Sequence, residues 1–309
     1  MIHPTPSGTR DVLPDEMREL RAIEAALRGV FDARGYGEIA TPALEYEEVL
    51  TRGDPAAADP AYKLFDEHGN VLVLRSDMTI PIARVVGTRY ATADVPLRFS
   101  YVAAAYRSVR PQRGQQREML QAGVELVGAP GPEGTAEALI VLCEALGAAG
   151  LENYRVGLGD ASLYPRLLDR VGVPDAARTQ IVHELVTRDF VGLEREVERF
   201  GEPLLARLPQ LRGGPEVLDA APEGAELRAV LDLLPSAVGE RVIFDLGLTH
   251  ALGYYTGAVF EVYDAGLGAP LGGGGRYDDL LGRFGRPLPA CGWALNVERL
   301  HLARVGEGR

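Results

Sequence analysis

The chain has 309 residues, 46% of them apolar, with 44 acidic against 32 basic side chains and a formal net charge of −12. That length holds one large domain or two average ones, and no run of 18 apolar residues offers a membrane span. The acidic balance argues against nucleic acid, which is held by clustered Lys and Arg, and only the short RSVRPQR stretch is basic.

Taken in order, residues 14–34 place Leu20, Ile23, Leu27, Val30 and Phe31 at helical spacing, with Pro14 set to start the helix and Gly35 to end it. GYGEIATPALE then turns extended, Pro42 suiting an edge or a strand end. KLFDEHGNVLVLR, 63–75, reads as a hairpin turning near His68-Gly69-Asn70. A helix over 77–86 has Pro81 in its first turn. Strands are expected at 97–106 and 117–127 about a polar loop at 108–116, then a helix after Pro130 and a strand at 151–159. From 161 to 239 the pattern becomes helical segments rich in Arg, Glu and Leu, broken by Pro174, Pro203, Pro209, Pro215 and Pro235, which reads as a helical insertion. Strands resume at 241–248 and 255–263, and a glycine-rich turn, Gly273 to Arg276, leads to a final strand and a helix ending near 305. Hairpins with helices kept to one side predict an α+β fold on a mostly antiparallel sheet, one domain over 1–309.

Cys143 and Cys291 stand alone, with neither CxxC spacing nor a disulfide framework, which points to a reduced, cytoplasmic setting. The N-terminus lacks a basic region followed by an apolar stretch, so no secretory signal is expected. Lys63 is the only lysine and neither GxxxxGK nor HExxH occurs, so no phosphate loop, metal site or cofactor is expected. Asp77 can hold an α-ammonium in a cleft or only cap the helix that follows it. Gln121 and Glu125, four apart on an expected strand, share one face, which suits a polar reader or a solvated surface.

YRSVRPQRGQQREMLQAGVELVG (106–128), GGGGRYDDLLGRFG (272–285) and PACGWALNVERL (289–300) resemble active-site segments of class II aminoacyl-tRNA synthetases, and of histidyl-tRNA synthetase in particular. The likeness runs from GTRDVLP near the N-terminus to the final helix. GYGEIATP is similar to motif 1, the dimer-forming element. LRSDMT (74–79) and ALGYYTGAVFE (251–261) match segments of the amino-acid site. The resemblance implies a histidine-binding set of Asp77, Thr79, Arg107, Gln121, Glu125, Tyr254 and Tyr255. In it Arg107 is the motif 2 arginine, whose planar fork suits a carboxylate and the ATP α-phosphate. Glu125 meets the imidazole, and Tyr255 closes over it. Arg299 and Arg276 would be remnants of an ATP side.

Departures from the synthetase pattern point to a paralogue. Ser76-Asp77 stands where synthetases have proline and glutamate, and aspartate there resembles the regulatory subunits of ATP phosphoribosyltransferase. His250 replaces an arginine that steadies charge during adenylate formation, the kind of group whose loss costs about 10²–10³ in rate. Arg107-Ser108-Val109 replaces an Arg-His-Glu triplet, and Gln115 and Gln116 stand where an arginine and a tyrosine are usual. The chain stops nine residues after Leu300, where a synthetase would continue into an anticodon-binding domain. The resemblance therefore implies a non-catalytic regulatory subunit of histidine biosynthesis, without tRNA binding. Its expected partners are a short-form ATP phosphoribosyltransferase catalytic subunit, joined by a homodimer of this chain within a hetero-octamer, and L-histidine as effector. The alternative is a truncated synthetase-like enzyme that forms histidyl-adenylate.

Overall fold

The computed structural model describes residues 5–55, 61–108, 116–248 and 253–308. Val109, Gln115 and His250 lie outside the described residues.

Helix α1 (Pro14–Ala33) opens with proline at its first position and Asp15 and Glu16 in its first turn, where the missing N–H and the helix dipole favour them. It buries Leu20, Ile23, Leu27 and Phe31 and ends at Gly35, whose φ of 76° few side-chain-bearing residues adopt. Then come β1 (Gly37–Glu38), β2 (Leu44–Tyr46), α2 (Glu47–Gly53), β3 (Lys63–Phe65), β4 (Val71–Leu74) and α3 (Thr79–Thr88). The long hairpin β5 (Leu97–Tyr106) and β6 (Glu118–Val127) precedes α4 (Glu133–Ala148) and β7 (Tyr154–Asp160). Between β7 and the later strands lie α5 (Leu163–Val171), α6 (Asp175–Thr187), α7 (Phe190–Glu198), α8 (Leu204–Arg207), the two-residue β8 (Arg212–Gly213), α9 (Ala225–Leu233) and α10 (Ser236–Gly239). The chain closes with β9 (Val242–Asp245), β10 (Ala258–Asp264), β11 (Gly272–Arg276), β12 (Ala290–Asn296) and α11 (Val297–Gly306).

Nine strands form one sheet in the order β1-β5-β6-β12-β11-β10-β7-β9-β8, and β2-β4-β3 form a small one. Within the large sheet β1 runs parallel to β5 and β7 to β9; the other pairs are antiparallel. This is the mixed α and β fold expected, with the sheet flanked by helices. The segment 161–239 is not wholly helical, because Arg212 and Gly213 pair with β9 at the sheet's edge.

The alternation of side chains across a strand decides what each face does. On β6, Ala122, Val124 and Leu126 point to the main core, with Phe31 of α1 and Trp293 of β12 at 5.7 Å between ring centroids. The Trp293 indole N–H donates to the Ala138 carbonyl at 2.9 Å, tying β12 to α4. Leu163, Leu167, Ile181, Leu193 and Leu227 of the segment between β7 and β9 belong to the same core. The opposite face carries Gln121, Gly123 and Glu125, and there α3, the small sheet and Tyr254 build a second, smaller cluster.

The run Gly273 to Arg276, expected as a turn, lies within the strand β11, which is paired on both sides. Its neighbours explain the residue type. A Cβ on Gly272 or Gly274 would strike the β12 backbone, and one on Gly275 would come within 2.9 Å of the Tyr255 ring. Glycine weakens a strand, but here it is what lets strands and a tyrosine approach.

Candidate functional site

Cross-strand register builds the floor of a cavity from small residues. Tyr101 pairs with Gly123, Gly123 with Ala294, Ala294 with Gly273, and Gly273 with Glu261. One step along, Glu125 pairs with Gly292 and Gly292 with Gly275. The missing side chains leave room for large ones. A Cβ on Gly123 would lie 2.5 Å from the Tyr101 hydroxyl, and one on Gly292 would overlap Glu125 Oε2. The resulting cavity measures about 390 Å³, within the range of small-molecule sites.

Asp77, Thr79, Arg107, Gln121, Tyr254, Tyr255 and Arg299 all line it, so the structure brings together most of the residues singled out from the sequence. They arrive from separate elements: α3 and the turn before it, the end of β5, β6, the segment before β10, and α11. Tyr254 and Tyr255 rings lie 4.9 Å apart, and Tyr277 meets Tyr254 edge-on at 5.8 Å.

Asp77 fulfils its modest reading and stays available for the sharper one. Its Oδ1 accepts the Ile80 N–H at 3.0 Å, closing the start of α3, while the residue also forms part of the cavity wall. Burial raises the Asp77 pKa, and the Ile80 N–H and the Arg107 charge oppose that rise. An ammonium group in the cavity would favour the charged form.

Glu125 differs from expectation in position. It is 1% exposed and sits behind the wall, with Oε1 accepting from the Thr79 hydroxyl at 2.6 Å and Oε2 from the Tyr277 hydroxyl. Burial pushes its pKa up to about 8, against the lowering effect of the two hydroxyls. The groups facing the cavity at this end are thus hydroxyls and an amide, with the carboxyl one bond behind them. Gln121 Oε1 is buried without a hydrogen-bond partner among the described residues, an acceptor suited to a ligand N–H.

The opposite end carries two guanidiniums. Arg299 donates to the Pro270 carbonyl at 2.6 Å, and its backbone N–H is capped by Asn296 Oδ1 at 2.9 Å. Burial and the neighbouring Arg107 charge both lower the Arg299 pKa, so an anionic group between the two would relieve both. Asn296 also donates to Gln116 Oε1 at 3.1 Å along this wall.

Arg276 is a correction. Alternation along β11 puts Gly275 against Tyr255 in the cavity and turns Arg276 to the other face. There its 2%-exposed side chain donates to the Ala129 carbonyl, Thr135 Oγ1 and Asp278. It braces the segment before α4 against β11 and reaches no ligand space.

Sequence reasoning missed Tyr101 and Tyr277. Tyr101 was findable, since an aromatic residue paired with glycine across a hairpin marks a ring lying over its neighbour. Tyr277 had no such signal, because its contact with Glu125 spans 152 positions.

A family profile described as histidyl-tRNA synthetase matches residues 8–300. An ATP phosphoribosyltransferase regulatory subunit of Moorella thermoacetica is 43% identical over 97% of this chain and 81% of its own length. The crystal structure of an ATP phosphoribosyltransferase regulatory subunit/histidyl-tRNA synthetase from Bacillus halodurans superposes with a TM-score of 0.88 at 33% identity, covering 98% of this chain and 84% of that one. A histidine–tRNA ligase subunit from Alicyclobacillus acidocaldarius gives 0.80 at 29% identity, covering 100% and 99%. The chain belongs to the ATP phosphoribosyltransferase regulatory subunit family, on the class II fold of histidyl-tRNA synthetase.

Proposed function

We propose that this member of the ATP phosphoribosyltransferase regulatory subunit family is a non-catalytic histidine sensor, required by a short-form catalytic subunit. In this reading it works as a homodimer within a hetero-octamer of the cytoplasm. Histidine in the cavity biases an assembly with two states. Coupling of this kind amounts to about 1–3 kcal/mol, enough to shift populations.

The observation that carries the reading is the unequal state of the cavity. Its amino-acid end is a packed set of Asp77, Thr79, Gln121, Tyr254 and Tyr255 backed by Glu125. Arg107 at the other end suits the ligand carboxylate, and Asp77 its ammonium. In this reading Thr79, Gln121 and Tyr255 meet the imidazole, with Glu125 holding hydroxyls at that end. Chemistry is less well provided for. The sequence has His250 where the enzymes it resembles use arginine, and Arg276 serves structure.

Calorimetry tests the sensor. The purified chain should bind L-histidine with no ATP present, and Glu125→Gln should weaken that binding. Failure to bind would remove histidine as the effector. One observation favours the adenylating alternative, namely that Arg107 and Arg299 both remain in the cavity. Histidine-dependent ATP–pyrophosphate exchange above background would establish it; the sensor reading expects background.

A further inference from the structure

Glu125 is a buried acid with no cation to answer it. Its carboxyl lies behind the cavity wall and is closed from the β12 side by Gly292, where a Cβ would overlap Oε2. Thr79 meets Oε1 at 2.6 Å and Tyr277 meets Oε2; both of these residues line the cavity, and Glu125 stands behind them. The carboxyl can therefore act on a ligand only through their hydroxyls.

The titratable side chains that act on Glu125 come from each element packed around it. They are Asp77 before α3, Tyr101 of β5, Tyr254 and Tyr255 before β10, Tyr277 after β11 and Cys291 of β12. None is a cation, and Arg276, which acts on Cys291, donates its hydrogen bonds on the opposite face. Burial accordingly pushes the Glu125 pKa up to about 8; the two hydroxyls oppose the rise and the Asp77 charge adds to it.

Each hydroxyl has one hydrogen to give. With Glu125 ionised, Thr79 and Tyr277 both donate to it, and the cavity meets only their lone pairs. With Glu125 protonated, its own O–H needs an acceptor. Tyr277 is 3% exposed, whereas Thr79 is half-buried on the cavity wall. Thr79 Oγ1 can take the carboxyl hydrogen and turn its own toward the cavity. One proton on Glu125 thus changes this wall from acceptor to donor.

We propose that Glu125 and a bound imidazole hold a single proton between them, handed on through the Thr79 hydroxyl, with Tyr277 the positioning residue that fixes the carboxyl. As the proton moves, the Glu125 Oε1–H bond breaks and Thr79 Oγ1 takes that hydrogen. Thr79 gives its own hydrogen to the bare ring nitrogen, leaving carboxylate and imidazolium. Both arrangements carry the same number of protons, so the pair titrates as one unit. The proposal rests on the histidine reading and deepens it, naming the net protonation state that the cavity accepts.

The free partners set the expected profile. Below about pH 6.5 a free imidazole and Glu125 are both protonated, and binding must release one proton. Above about pH 8 both are bare, and binding must take one up. Between these limits they bring one proton and exchange none.

The test is calorimetry of L-histidine with the purified full chain at about pH 5.5, 7.2 and 9, in pairs of buffers that differ in ionisation enthalpy. Wild type should release close to one proton at the acid end, exchange none in the middle and take up protons at the alkaline end. Affinity should fall about tenfold per pH unit outside the window. Glu125→Gln should lose the carboxyl's share of the alkaline uptake, while the ligand's amine titrates alike in both proteins. Tyr277→Phe removes a donor to the carboxylate and should move the alkaline limb up by about one pH unit, a shift that lost packing alone would not give. Histidine binding with alkaline uptake equal to that of Glu125→Gln, or a limb unmoved in Tyr277→Phe, would overturn the proposal and leave histidine sensing standing. Absence of binding at every pH would overturn both.

Discussion

The tyrosine-rich end of the large-sheet cavity lined by Asp77 and Gln121 and its arginine end are held in opposite ways. At the first, Thr79 and Tyr277 converge on the buried Glu125 carboxyl, and Tyr254 packs between Tyr255 and Tyr277. At the second, Arg299 is anchored by a single carbonyl, and Arg107 is exposed with no ion pair among the described residues. A buried network of this kind fixes geometry in advance, and its groups are costly to remove. An exposed guanidinium such as Arg107 can hold an anion without shaping the fold, while the half-buried Arg299 is held by fewer bonds than Glu125. On the proposed histidine-sensing reading, the difference would mean that recognition of the side chain is built into the core, whereas recognition of the charged end is laid on top of it.

Removing the network's centre should break that contrast most severely. Glu125→Ala leaves two hydroxyls unpaired and a hole in the core, at about 1–3 kcal/mol for each buried unpaired group. Urea denaturation should show a loss of about 3 kcal/mol or more, with histidine binding abolished. Glu125→Gln, nearly isosteric, should keep most of the stability.

The same carboxyl gives a pH signature. Its folded pKa, about 8, lies above the unfolded value of 4.5, so the folded chain holds this proton more tightly. The stabilisation it contributes is complete below pH 4.5 and is lost as pH rises through about 8. The stability of wild type relative to Glu125→Gln should therefore fall by a few kcal/mol across that window, at about 1.4 kcal/mol per pKa unit. A flat difference would mean that Glu125 is ionised at neutral pH in the empty site.

Smaller effects separate floor from rim. Gly292→Ala drives a methyl group into Glu125 Oε2, and overpacking of this sort costs about 1–3 kcal/mol. Arg107→Ala should leave the denaturation midpoint nearly unchanged, within about 0.5 kcal/mol, and weaken histidine binding about tenfold. Arg276→Ala should do the reverse, lowering stability with little direct effect on affinity.

Much of this was legible before the structure. The helix at 14–33 and the hairpin at 97–127 follow from periodicity and from glycine and proline punctuation, because those signals are local. The cavity-lining set came from resemblance in short segments. What stayed hidden depends on tertiary approach. Glycine is a poor strand former, so the glycine-rich Gly273 to Arg276 reads as a turn until β10, β12 and Tyr255 are seen pressing on its glycines. Arg276 could have been turned outward by counting alternation from Gly275, had the segment been taken as a strand. The sealing of Glu125 could not have been read, since it requires Tyr277 to arrive from the residue just after β11.

The central claim is that a histidine-reading core regulates a separate catalytic chain, and reconstitution tests it most directly. This chain, mixed at micromolar concentration with a short-form ATP phosphoribosyltransferase, should raise the rate of phosphoribosyl-ATP formation, and L-histidine should reverse much of the gain. With Glu125→Gln the complex should still assemble and activate, yet respond weakly to histidine. Absence of association, or a rate indifferent to both this chain and histidine, would contradict the account.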